Sequence, residues 1–216
     1  MPLVLFDIDG TLVDSRKLVV EAKRRAFVSH GMVPPDEARA LSVVGLSPEE
    51  AFRALVGETG PHAVLAAAYK TAWHAVRFEP EFGDALFPGA GDHVSRLFDA
   101  GVTLGIATGR SRSGVDHLLE RQGWMGRFAT IQTEDDAPSK PAPDMVENAL
   151  RDVPTPREAV FMIGDTTFDM EMARAAGIRA VGVSWGYHTA DMLRAAGAEL
   201  VAEDFAAILA VIGLDD

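Results

Sequence analysis

Along the chain, short unbroken apolar runs alternate with stretches in which apolar residues return every three or four positions. The runs LVLFD (3–7), VTLGIAT (102–108), ATIQ (129–132), AVFMIG (159–164), AVGVSW (180–185) and ELVA (199–202) are rich in Val, Ile, Leu and Phe and show little polar alternation. This is the pattern of strands buried on both faces of a parallel sheet. Between them the spacing predicts helices over 92–100, 113–122, 168–176 and 190–196, each stopped by a glycine at 101, 123, 177 or 197. Strand and helix in alternation, with short joins, predict an α/β fold built on a doubly wound parallel sheet.

Residues 16–80 break the rhythm, with helical patterns and no convincing strand. SPEE, Ser47 to Glu50, is a capping box with Pro48 at the first helical position, and Gly57 ends that helix. Leu65, Tyr69, Ala72 and Val76 recur at helical spacing and define one apolar face. FEPEFGDALFPG (78–89), with its prolines and glycines, reads as a return linker. The expected organisation is an α/β core of residues 1–14 and 82–216, with a helical domain, 15–81, inserted after the first strand.

Composition narrows the function. The net charge of −12 argues against a nucleic-acid partner and against adhesion to an anionic membrane, while leaving room for a small anion beside a local cation. With no cysteine, thiolate metal sites, disulfides and cysteine nucleophiles are excluded. The start MPLVLFDIDG has no basic segment and only a short apolar run, so neither a signal peptide nor a membrane span is expected, and the expected location is cytoplasmic.

In an open α/β sheet, ligands bind at the carboxyl ends of the strands. Four such ends carry polar chemistry: DIDGT after the first strand, TGR at 108–110, SKPAPD at 139–144, and GDTTFD at 164–169. Asp7 and Asp9, two apart on an extended segment, project to the same face. Carboxylates held ~4 Å apart would repel by roughly 4 kcal/mol at an effective dielectric near 20. They need a cation, a shared proton or water. Acidic groups on two strand ends, the Thr108 hydroxyl and Lys140 suit a divalent cation together with a phosphoryl group.

In this order the four segments resemble the haloacid dehalogenase (HAD) superfamily of phosphohydrolases. DIDGTLVDS resembles its first motif, Thr108 its second, Lys140 in KPAPD its third and GDTTFD its fourth, and the likeness spans essentially the whole chain. The helical insertion after the first motif is similar to the C1-type cap of the phosphoglycolate phosphatase and β-phosphoglucomutase branch. The resemblance implies a HAD-like core with Asp7 as the nucleophile of an aspartyl-phosphate intermediate and Asp9 as acid, then base. It implies Mg²⁺ held by the Asp7 carboxylate, the Asp9 backbone carbonyl and Asp165, with Asp169 in support. Gly10 would let the backbone turn toward the ligand; Thr108, the Gly109 amide and Lys140 would grip the phosphoryl oxygens. The dehalogenase branch, the P-type ATPases and the phosphonate-cleaving branch lack the second acid, so DID reads as a phosphatase or phosphomutase.

The resemblance implies a phosphatase acting on a small phosphorylated metabolite, with phosphoglycolate as the most specific expectation and a monomer or homodimer as the assembly. A β-phosphoglucomutase-like transferase is the main alternative, although GLSPEEAFRAL (45–55) lacks the charged pair typical of mutases. An inorganic pyrophosphatase, or a non-catalytic phospho-ligand binder on the same fold, are the others. Arg110 is either substrate-facing or a structural ion pair, and Asp14 and Ser15 read as hinge or helix-capping residues. Asp135 and Asp136 read as a solvated loop or, through their nearness to Lys140, as metal-side residues, and the histidines as surface or packing residues without metal-ligand spacing. Met162, Met170 and Met172 are expected to fill the core. KRR at 23–25 reads as the wet side of a helix, or as the source of an arginine for a substrate carboxylate.

Overall fold

A computed structural model describes residues 1–79, 81–83 and 85–214. Its elements, in chain order, begin with β1 (Leu3–Phe6), β2 (Val13–Asp14), α1 (Arg16–Ser29), α2 (Glu37–Leu41), α3 (Pro48–Val56), α4 (His62–Val76) and β3 (Ala85–Leu86). There follow α5 (Ala90–Asp99), β4 (Thr103–Ala107), α6 (Arg112–Gln122), β5 (Phe128–Gln132), α7 (Asp144–Asp152) and β6 (Val160–Gly164). The chain closes with α8 (Thr167–Ala175), β7 (Arg179–Val183), α9 (Ala190–Ala196), β8 (Leu200–Ala202) and α10 (Phe205–Val211).

The six long runs read from the sequence are the six strands of one parallel sheet, in the order β5-β4-β1-β6-β7-β8. The chain moves outward from β1 to β5 and then returns to β6 on the other side of β1. The switch in direction therefore falls at β1, where the ends of β1, β4 and β6 converge. β1 is wholly buried, and its side chains alternate between two cores. Val4 and Phe6 join Val94, Leu97, Leu118 and Ile208 on one face; Leu3 and Leu5 join Met145, Met162, Met170 and Leu193 on the other. All three methionines expected in the core are there, fully buried.

Helices α1 to α4 build two small cores of their own, one around Leu18, Trp73 and Val76 and one around Phe27, Phe52 and Leu65. Leu65, Tyr69, Ala72 and Val76 do line the packed face of α4. The linker 78–89 contains more structure than its composition suggests: Ala85–Leu86 pairs antiparallel with Val13–Asp14. The two crossings between the helical insertion and the sheet are thus stitched together, a pairing too short for any periodicity to betray. Residues 80 and 84 of that linker, and the last two residues of the core range, lie outside the described residues.

The SPEE box is corrected by the structure. Pro48 does open α3, but Ser47 makes no side-chain cap bond. Its backbone N–H donates instead to Ser139 Oγ at 2.8 Å, so a core loop supplies the acceptor that Glu50 would have offered. Ser15 likewise does not cap α1; its hydroxyl meets Tyr187 Oη at 3.0 Å. Helix α7 has no glycine stop and escaped the spacing rule; α10 escaped it although Gly213, at φ +80°, follows its end and Asp204 caps its start by accepting from the Ala207 N–H. No helix among the described residues is long and apolar enough to cross a membrane.

His93 of α5 is buried edge-on to Phe6 and 4.9 Å from the Phe205 ring, with neither ring nitrogen hydrogen-bonded. Burial, aided by Arg96, pushes its pKa down to about 4. The unfolded chain takes up that proton near pH 6.5, so between there and pH 4 the unfolded state binds more protons and stability falls as pH falls. Relative to His93→Leu, the wild type should lose about 2 kcal/mol between pH 7 and pH 5. Urea titrations of both proteins at the two pH values measure this; parallel losses would contradict it.

Candidate active site

The backbone leaving β1 turns at once. Asp7 donates its N–H to Ile163 O, still in ladder register, and Gly10 then adopts φ +89°. A side chain at Gly10 would be strained by that angle, and its Cβ would stand 2.2 Å from Asp165 Oδ2. The turn therefore presses the first loop against the end of β6. Gly109 plays the matching part on the other side, where a Cβ would lie 2.5 Å from the Leu46 carbonyl of the helical insertion.

Asp7, Asp165 and Asp169 converge in this crevice, with one carboxylate oxygen from each within 4.8 Å of the others. All three are buried, Asp7 at 1% exposure and the other two at zero. Lys140, also buried, donates to Asp7 Oδ1 at 2.8 Å and to Asp169 Oδ1 at 2.6 Å. Asp169 Oδ2 accepts from the Thr166 N–H and hydroxyl, which fixes it at the first turn of α8. Asp165 takes neutral donors only: Thr11 Oγ1 at 3.0 Å and the Tyr187 N–H at 2.8 Å. Among the described residues Asp7 Oδ2 has no hydrogen-bond partner.

The electrostatics follow from burial. Asp7 is pushed up to about 6 by burial, partly offset by Lys140, with Asp169 and Asp9 adding to the rise. Asp165 is raised well above the usual carboxylate range by burial and by the repulsion of Asp7 and Asp169. Burial also opposes the charge on Lys140, but the combined field of Asp169 and Asp7 outweighs it and holds that pKa above its ordinary value. Two of the three buried carboxylates thus share one lysine, and the third, Asp165, is held by neutral donors. A dication fits the remaining deficit: an all-oxygen donor set, an orphaned Asp7 oxygen, and a glycine at position 10 where any Cβ would collide.

The Asp9 side chain stays out of this cluster. Arg110 grips it in a two-pronged pair, Nε to Oδ2 at 2.8 Å and Nη2 to Oδ1 at 2.6 Å. The guanidinium also lies 5.0 Å from the centre of the Trp73 ring of α4. Arg110 therefore is an ion-pair residue and a wall of the ligand cavity at once. Thr108 is buried at the end of β4, its hydroxyl accepting from the Arg110 N–H at 3.3 Å. Asp135 and Asp136 are exposed and tied to Arg112, away from the acidic cluster. Among the described residues no histidine joins a metal-type cluster.

Above the strand ends lies a cavity of about 300 Å³, lined on the sheet side by Asp7, Asp9, Thr108, Gly109 and Arg110. Helices α1, α3 and α4 line it from the opposite side with Lys23, Phe52, Tyr69 and Trp73. Here the KRR reading is corrected. Arg24 and Arg25 pair with Glu21, and Arg25 with Glu79 as well, but Lys23 is 3% exposed and faces the cavity instead of water. The signal was present in the sequence: Lys23 stands four residues after Val19 and four before Phe27, on the apolar stripe of α1.

Comparison with known proteins agrees with this geometry. The family model for haloacid dehalogenase-like hydrolases matches residues 4–183. The protein named "Probable phosphatase IndB" of Dickeya dadantii is 32% identical over 211 residues, covering 96% of this chain and 92% of that protein. The tyrosine-protein kinase PtkA of Mycobacterium tuberculosis is 33% identical over 195 residues, 88% of this chain and 65% of that protein. A phosphoglycolate phosphatase of Synechococcus elongatus is 31% identical over 201 residues, 91% and 90% of the two chains. Among solved structures, a hydrolase from Pseudomonas syringae superposes with a TM-score of 0.83 at 25% identity, covering 94% of each chain. The matched span contains every strand end that carries the acidic cluster, and the chain belongs to the haloacid dehalogenase-like hydrolase family.

Proposed function

We propose that the protein is a Mg²⁺-dependent phosphatase that hydrolyses a small phosphate monoester through an aspartyl-phosphate at Asp7. The observation that carries this reading is the Asp7 carboxylate itself. One oxygen is fixed by Lys140, the other has no hydrogen-bond partner, and the residue lines the cavity floor. A carboxylate pinned by one oxygen and open at the other is oriented for attack.

In this reading Asp9 leaves Arg110 and takes up a proton from solvent as substrate binds; the Asp7 carboxylate attacks phosphorus, and the bond from phosphorus to the ester oxygen breaks as Asp9 passes that proton to it. Water then attacks the same phosphorus and yields its proton to Asp9, and the bond to Asp7 breaks to release inorganic phosphate. Arg110 holds Asp9 until substrate arrives and keeps its carboxylate turned away from the acidic cluster. Thr108, the Gly109 N–H and Lys140 bind the phosphoryl oxygens; Asp169 positions Lys140. Asp7, Asp165 and the Asp9 carbonyl would hold Mg²⁺, which supplies counter-charge to the transferring group. Helices α1 to α4, within residues 15–81, act as a cap that excludes water from the cavity, over a core of 1–14 and 82–216.

Named phosphatases among the relatives support hydrolysis, and the phosphoglycolate phosphatases make a small acidic phosphate ester the most specific substrate. The partner is then a small phosphorylated metabolite, in a cytoplasmic protein that engages neither nucleic acid nor membrane and works as a monomer or homodimer. The kinase name carried by the mycobacterial relatives favours a second reading, in which the Asp7 phosphoryl group passes to a hydroxyl other than water. Product analysis separates the two: free phosphate equal to ester consumed marks a hydrolase, and a phosphorylated acceptor marks a transferase.

Asp7→Asn should lower turnover of a chromogenic phosphate ester at least about a thousand-fold while circular dichroism shows the fold intact. Unchanged turnover removes Asp7 from the nucleophile role. Excess EDTA should abolish wild-type turnover, and Mg²⁺ added beyond the chelator should restore it. Full activity in EDTA contradicts the metal assignment.

A further inference from the structure

The cavity holds a charge that phosphate chemistry does not use. Three lysine or arginine side chains line it: Lys23, Lys70 and Arg110. Arg110 is gripped by Asp9, and Lys70 pairs with Glu134 at 3.0 Å. Among the described residues Lys23 has no carboxylate partner, and its hydrogen bond goes to the neutral Ala40 carbonyl, at 2.5 Å. An ammonium carries three donors, so most of its capacity is unspent.

The surroundings make this costly. Lys23 is buried on the packed face of α1, and Val19, Val44, Phe52, Tyr69 and Trp73 form the neighbouring walls. Burial pulls its pKa down to about 7, against the opposing field of Asp9. Replacing a buried charge of this kind by a hydrophobe of similar volume is commonly neutral or stabilising, so packing alone gives no reason for a lysine here. A ligand anion does: it would meet a dry, partly preorganised ammonium, where a charge-assisted hydrogen bond is strongest.

We propose that Lys23 binds a carboxylate on the organic half of the substrate, so that the preferred substrate is a phosphate monoester whose short apolar carbon body ends in a carboxylate. This rests on the phosphatase reading of the Asp7 site and adds the group that sets specificity. The work of binding is then divided. Strand ends take the phosphoryl group, the aliphatic and aromatic walls take the carbon body, and Lys23 takes the far anion. A cavity of about 300 Å³ lies at the small end of ligand pockets and restricts the body to a few carbons.

The test uses pairs of phosphate monoesters matched in length, one member ending in a carboxylate and the other in a methyl group, with Mg²⁺ present. kcat/KM is measured for the wild type, Lys23→Met and Lys23→Arg. The wild type should prefer the carboxylated member. Lys23→Met should collapse that preference about 10- to 100-fold, chiefly through KM, and Lys23→Arg should recover part of it. Lys23→Gln carries the same expectation should the Met variant fail to fold. A merely structural lysine would lower both members together and leave their ratio unchanged; that result, or a wild type without preference, overturns the inference while the phosphatase reading stands. A wild type that hydrolyses no member of any pair, nor any chromogenic ester, overturns both.

Discussion

Lys140 reaches from the loop beyond β5 into the buried crevice and binds Asp7 and Asp169 at once. The rest of the site depends on that bridge. Without it, two carboxylates at the ends of different strands would be buried close together with no cation among their hydrogen-bond partners. Removing one partner of a buried ion pair typically costs roughly 3–5 kcal/mol, because the remaining charge is stranded. The bridge also decides which oxygen of Asp7 is left for chemistry. With Oδ1 held by the ammonium and the loop turning at Gly10, Oδ2 is the atom without a partner.

Around the bridge the molecule keeps two kinds of charge apart. Asp7 and Asp169 share Lys140 with Asp165 beside them on neutral donors, whereas Asp9 belongs to Arg110 and, through the guanidinium, to Trp73 of the helical insertion. Two acids only two residues apart therefore sit in different environments, one beside an ammonium and one clasped by a guanidinium. The contact with Trp73 and the pair between Lys70 and Glu134 tie the helical layer to the sheet across the cavity. The Ser47 N–H on Ser139 adds a third tie, from the start of α3 to the loop that carries Lys140. Contacts of this kind couple the helices that line one side of the cavity to the strand ends that line the other.

The sequence made the sheet and the acidic cluster legible because both are local signals. Six unbroken apolar runs gave the six parallel strands to within a residue or two, and DIDGT, TGR and GDTTFD each lie at a strand end, with SKPAPD farther along the loop that follows β5. What stayed hidden depends on contacts between distant segments. Nothing in RKLVVEAKRR distinguishes Lys23 from its basic neighbours except its place on the apolar stripe, and the clasp of Arg110 on Asp9 joins residues 101 positions apart. The lost capping box is the same lesson in small: Ser47 found its acceptor in another loop, so a local rule was overridden by a tertiary bond. Two-residue strands such as β2 and β3 are beyond any periodic signal, although they bind the two crossings together.

The central claim is that Asp7 becomes covalently joined to phosphorus. It is tested most directly by quenching the wild-type enzyme in acid during steady turnover with Mg²⁺ and mapping its peptides by mass spectrometry. The account predicts that the peptide containing Asp7 gains the mass of one phosphoryl group, with fragmentation placing it on that residue, and that the adduct decays as substrate runs out. Phosphate released at the full rate with Asp7 unmodified at every quench time, or a phosphoryl group found on another side chain, would contradict it.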